Sequence, residues 1–131
     1  MIMIVKRNKT GPIIVTICGS SRFIKYMFLA HHKLNSDGIM AFLPDLDPYA
    51  DIPTESTPFN AEAQVMQDAK ISLSDAILII NVDGYIGEST FHEFKLARKL
   101  GKVIEWFDRS EETMEKTRNR LIELEKIYGD V

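Results

Sequence analysis

The feature that most restricts the fold is the run Asp-Ala-Ile-Leu-Ile-Ile-Asn-Val at residues 75–82. Its apolar residues are nearly unbroken, with no polar residue at every second place, so neither face of such a strand is suited to water. A strand hidden on both faces belongs to a parallel sheet covered by helices. Ile13 to Cys18 repeats the pattern, and Ile39–Leu43 and Lys102–Trp106 are shorter versions of it. Helical segments separate these runs. From about Arg22 to Ser36, Phe23, Met27, Ala30 and Leu34 recur at three- and four-residue steps, and Gly38 supplies a stop. Asn60 caps a second helix running to about Leu73, and a third runs from about Ser89 to Leu100 before Gly101. Ser110 opens a fourth, with Met114, Leu121, Leu124 and Tyr128 on one side. Four alternations of strand and helix predict an α/β fold, a parallel sheet with helices on both faces.

Such sheets bind ligands beyond the carboxyl ends of their strands, near the point where strand order reverses. The loops Gly19–Phe23 and Asp83–Glu93 are therefore the places to look for function. Residues 44–58 hold four prolines and no periodicity, which reads as a long loop. Its acidic residues Asp45, Asp47, Asp51 and Glu55 do not match the spacing of a calcium loop.

Composition narrows the partners. A chain of 131 residues suits one domain over 1–131. Sixteen Lys+Arg against nineteen Asp+Glu give a formal charge of −3, which argues against polymeric nucleic acid and anionic membrane as partners. The single cysteine, Cys18, excludes an internal disulfide and a multi-cysteine zinc site. No apolar run approaches the ~18 residues of a membrane span, and Met1–Val5 is too short for a signal peptide, so the expected location is cytoplasmic.

Several familiar signatures are missing. There is no phosphate-binding Walker sequence, and Cys18 to Phe23 lacks the glycine pattern of dinucleotide folds. His92-Glu93 begins like a zinc-protease motif, but Leu96 stands where the second histidine belongs. His31 and His32 are adjacent, point apart on a helix, and read as surface residues. No metal site is expected. Cys18, at a strand end, is either a small buried hydrophobe or a nucleophile.

The first loop offers backbone N–H groups and hydroxyls from Gly19, Ser20 and Ser21, with the guanidinium of Arg22 beside them. That suits phosphate or another anion; the alternative is that Ser20 or Ser21 only caps the helix. In the second loop Gly84 and Gly87 permit close approach of a ligand, Tyr85 offers a stacking face, and Ser89 and Thr90 open a helix. Glu93, expected in that helix's first turn, is favoured as an ionised carboxylate by the helix dipole, the state a nucleophile needs. Thr90-x-x-Glu93 equally fits a capping box. Asp83 ends the third strand at the ligand edge, Asp75 reads as a turn residue, and Asp68 is either a solvated helix charge or a cleft carboxylate.

Taken together, Cys18-Gly19-Ser20-Ser21-Arg22, Ser74-Asp75, and Gly87 to Glu93 leading into Ala97 and Gly101-Lys102 resemble the nucleoside 2-deoxyribosyltransferase-like proteins. The Cys-Gly-Ser-x-Arg turn is especially similar to their deoxyribonucleoside 5′-monophosphate N-glycosidases. The resemblance implies a flavodoxin/Rossmann-like three-layer sandwich with a four- to five-stranded parallel sheet. It implies cleavage or transfer of the N-glycosidic bond of a 2′-deoxynucleoside or its monophosphate, with no cofactor. The family's nucleophilic glutamate falls on Glu93, and its helix-borne aspartate on or near Asp68, where the spacing to Asp75 is one residue short. Ser20, Ser21 and Arg22 would take the phosphate or sugar, with Ser89 or Thr90 assisting. Thr16 stands where the monophosphate hydrolases carry a tyrosine, so a non-catalytic nucleotide-binding or signalling module is the alternative. Little chain remains to close a nucleoside pocket, and the expected assembly is a homo-oligomer with a shared site.

Overall fold

The computed structural model describes residues 11–45 and 61–129. The expectations that fall on Met1–Val5, on most of the proline-rich segment and on Asn60 lie outside the described residues. The order is β1 (Ile14–Cys18), a single 3₁₀ turn (Ser21–Phe23), α1 (Ile24–Ser36), β2 (Met40–Phe42) and α2 (Ala61–Leu73). There follow β3 (Ala76–Ile79), a second 3₁₀ turn (Val82–Gly84), α3 (Glu88–Lys99), β4 (Val103–Trp106) and α4 (Glu111–Tyr128).

The four strands form one parallel sheet in the order β2-β1-β3-β4. The fold is thus the α/β three-layer sandwich of flavodoxin/Rossmann type. Strand alternation divides the core into two faces. Val15, Ile17, Ala76, Leu78 and Ile80 meet Phe23, Met27, Ala30 and Leu34 from the α1 side. Cys18, Ile77 and Ile79 meet Ile71 of α2, Phe91 and Ala97 of α3 and Leu124 of α4 on the other. The chain steps from β1 outward to β2, then returns past β1 to β3 and β4, so strand order reverses between β1 and β3. The crevice beyond the carboxyl ends of those two strands is the ligand position of such sheets.

The inner side of α4 is more polar than its apolar spacing suggests. Thr113, Thr117 and Leu124 are buried, whereas Tyr128 is exposed. The reason is Asn81, wholly buried just past β3. Its amide nitrogen donates to the Asp108 carbonyl at 3.0 Å and to Thr117 Oγ1 at 3.1 Å, and its oxygen accepts the Asp108 N–H at 2.8 Å. Asp108 in turn accepts from the Ser110 N–H at 2.9 Å and from Thr113 Oγ1 at 3.0 Å, while Ser110 caps the helix. A buried asparagine whose amide oxygen and nitrogen are both bonded thus fixes α4 against the end of β3.

Candidate functional site

Two groups of side chains flank the crevice. The first is built on α2 and α3. Gln64, Gln67 and Ile71 follow one another at helical steps, so all three look inward. Gln67 is 4% exposed, and its Nε2 donates to the Ile17 carbonyl at 3.1 Å and toward Cys18 Sγ at 3.6 Å. Its Oε1 has no hydrogen-bond partner. Gln64, one turn earlier, donates from Nε2 to Asp68 Oδ1 at 2.9 Å and to Glu93 Oε2 at 3.1 Å. Asp68 Oδ2 faces His92 Nε2 at 3.2 Å. The structure therefore brings Asp68 and Glu93, the two carboxylates singled out in the sequence, onto one amide nitrogen.

Glu93 is 6% exposed. Because α3 begins at Glu88 behind the N-cap Gly87, Glu93 lies in the second turn rather than the first. The helix dipole is weak there, and the capping-box reading falls: the carboxylate accepts from Gln64, and the helix start has no side-chain cap. Burial raises the Glu93 pKa above the ordinary 4.5, and the Asp68 charge adds to the rise. Donation from Gln64 and from Cys18, with the nearby His92, works the other way. Burial likewise pushes the Cys18 thiol up, and the Glu93 charge reinforces it, which favours the thiol over a nucleophilic thiolate.

The second group surrounds Tyr85. The Arg22 guanidinium lies 3.9 Å from the centre of the Tyr85 ring, and Arg120 of α4 lies 5.7 Å from it while donating to the Ile86 carbonyl at 2.9 Å. Arg22 meets no carboxylate among the described residues. Ser20 Oγ accepts the Arg22 N–H at 3.3 Å, so Ser20 caps the 3₁₀ turn; Ser21 is exposed. The stacking face expected of Tyr85 is thus shared with a guanidinium.

Several expected ligand residues have packing contacts of their own. Phe23 belongs to the core and sits edge-on to Tyr85 at 6.0 Å. Gly84, at φ +76°, turns its back to α4: a Cβ there would lie 2.4 Å from Lys116 Cβ. A Cβ on Gly19 would lie 3.0 Å from Ile80 Cβ, so that glycine lets β1 leave the sheet close against β3. Thr90 is buried within α3, which leaves Ser89, exposed, as the hydroxyl of that pair open to solvent. Gly87 is the N-cap of α3, with the Tyr85 hydroxyl beside it. Asp83 is exposed at φ 56° and takes part in neither group. Asp75 accepts the Ile14 N–H at 2.9 Å, which pins β1 to the start of β3. Thr16, wholly buried, bonds Ser74 Oγ at 2.6 Å and offers nothing to a ligand.

No protein-family model matches the chain, and a search of curated proteins gave no significant match. The chemistry of the site therefore rests on its own geometry. Among the described residues no three His, Cys, Asp or Glu side chains are grouped to hold a metal ion, and no helix is long and apolar enough to cross a membrane. Gln64, Gln67, His92 and Arg120 are the site residues that motif reading missed. Helical stepping back from Ile71 was the available signal for the two glutamines; nothing local marked Arg120.

Proposed function

We propose that the protein cleaves or transfers the N-glycosidic bond of a 2′-deoxynucleoside or its 5′-monophosphate, with Glu93 as nucleophile. The observation that carries this reading is the placement of the Glu93 carboxylate: buried at the crevice, released from helix capping, and hydrogen-bonded by Gln64 beside Asp68. Arg22, with no carboxylate partner among the described residues, supplies a cation for a phosphate on the other side. Displacement at C1′ passes through an oxocarbenium-like state. Ionised Glu93 attacks C1′ as the base departs and takes a proton, and water or an acceptor base then releases the sugar from the glycosyl-enzyme. The pair of Asp68 and His92, in contact at 3.2 Å, is the source of that proton. In this reading a second copy of the chain completes the pocket, which light scattering on the purified protein tests.

Base release from a panel of deoxynucleoside monophosphates, followed by chromatography, is the experiment. Wild-type release that is abolished in Glu93→Ala supports the mechanism; unaltered turnover in that variant refutes it. One observation favours binding without catalysis, namely that burial opposes the charge on Glu93. A binding module would show saturable nucleotide binding that survives Glu93→Gln, and no free base.

A further inference from the structure

We propose that Gln64 is a positioning residue for Glu93, holding its carboxylate at the crevice through an amide nitrogen shared with Asp68. The kinetic part of this inference rests on the glycosidic reading above; the geometric part does not. A carboxamide nitrogen carries two protons, and here one points to each carboxylate, at 2.9 Å and 3.1 Å. Gln64 and Asp68 are four residues apart on α2, on the same face. Asp68 is held in its turn by His92 from α3. The amide is thereby clamped between two helices.

The groups facing Glu93 are Cys18 at the end of β1, Gln64 and Asp68 on α2, and its neighbour His92 on α3. Gln64 donates directly to it, the Cys18 thiol lies close by, and an amide N–H is a stronger donor than a thiol. Without Gln64 a buried carboxylate would be left beside Asp68 with a weak donor alone, and its ionised form would lose its main local support. Two acidic groups that close together otherwise resist joint ionisation. Gln64 also fixes direction, because it engages Oε2 in particular.

The test uses the full chain as wild type, Gln64→Met and Gln64→Glu, with glutamate side chains labelled with ¹³C at the carboxyl. Absence of a signal in Glu93→Gln identifies the Glu93 resonance. Removing one hydrogen bond to a charged group should move its titration midpoint upward by about one to two pH units in Gln64→Met. Gln64→Glu, which is nearly isosteric, should move it at least as far because it adds a third carboxylate. Where base release is measured, the acidic limb of the pH–rate profile should shift by the same amount, with the rate regained on the alkaline side. A merely structural role would lower the rate at every pH. An unmoved Glu93 midpoint in the folded variants overturns the inference even if base release is found. Absence of base release from the wild type refutes the proposed reaction, and the carboxyl titration still decides the role of Gln64.

Discussion

Replacing Gly84 by alanine separates a ligand-binding role for this glycine from a packing role. The residue lies at φ +76°, where an L side chain is strained by ~1–2 kcal/mol. The added Cβ would also stand 2.4 Å from Lys116 Cβ and 3.0 Å from both the Lys116 carbonyl carbon and the Thr117 nitrogen. Those atoms are the stem and backbone of α4, so no rotamer change relieves the clash, and overpacking of this kind costs ~1–3 kcal/mol. The total expected loss is ~2–5 kcal/mol. Gly38 is the control: its φ is +79°, and a Cβ there meets nothing within 4 Å. Gly38→Ala should therefore show the backbone strain alone. Urea unfolding of both variants measures the contrast, as a lower midpoint at unchanged slope. Equal losses at the two positions would refute the packing account. So would a Gly84→Ala protein of wild-type stability that fails to bind nucleotide, since that is the signature of a glycine kept for a ligand.

Three further predictions concern charge. Glu93→Gln should melt at a higher temperature than wild type at pH 7, because burial raises the folded pKa above 4.5 and the wild type loses stability as pH rises from there through the folded value; the two melting curves should converge below about pH 4.5. Asp108 goes the other way. The Ser110 N–H, aided by the Ser110 and Thr113 side chains, holds its carboxyl below the usual 3.8, so Asp108→Asn should be less stable than wild type at neutral pH. That deficit should close as acid titrates the wild type through its lowered value, which a pH series of melting curves reads directly. Arg22→Ala should weaken binding of a deoxynucleoside monophosphate about 10- to 100-fold, the equivalent of one hydrogen bond to a charged group; calorimetry showing unchanged affinity would remove Arg22 from the site.

The sheet was legible because its strands are buried on both faces and carry continuous apolar runs, which no amphipathic helix of this length imitates. The site was legible only in part, and the reasons are physical. Whether Glu93 caps a helix or faces a cleft turns on where α3 begins, and a start at Glu88 instead of Ser89, with Gly87 as N-cap, moves the carboxylate out of the first turn. Such boundaries are the least determined part of any helix. Asp68 is half-buried on the flank of α2, while the fully inward place next to it belongs to Gln67. The two glutamines escaped notice because motif reading looks for ionisable groups, yet a glutamine one or two turns before Ile71 on the buried face of α2 is itself anomalous. Burying an amide without partners is costly, so a polar residue on a helix face that otherwise packs the core must have something to bond. Here Gln67 bonds the end of β1 and Gln64 bonds both carboxylates. In this chain the inward polar residues of α2 point toward the crevice more directly than the acidic residues do, because only tertiary partners explain why they are there.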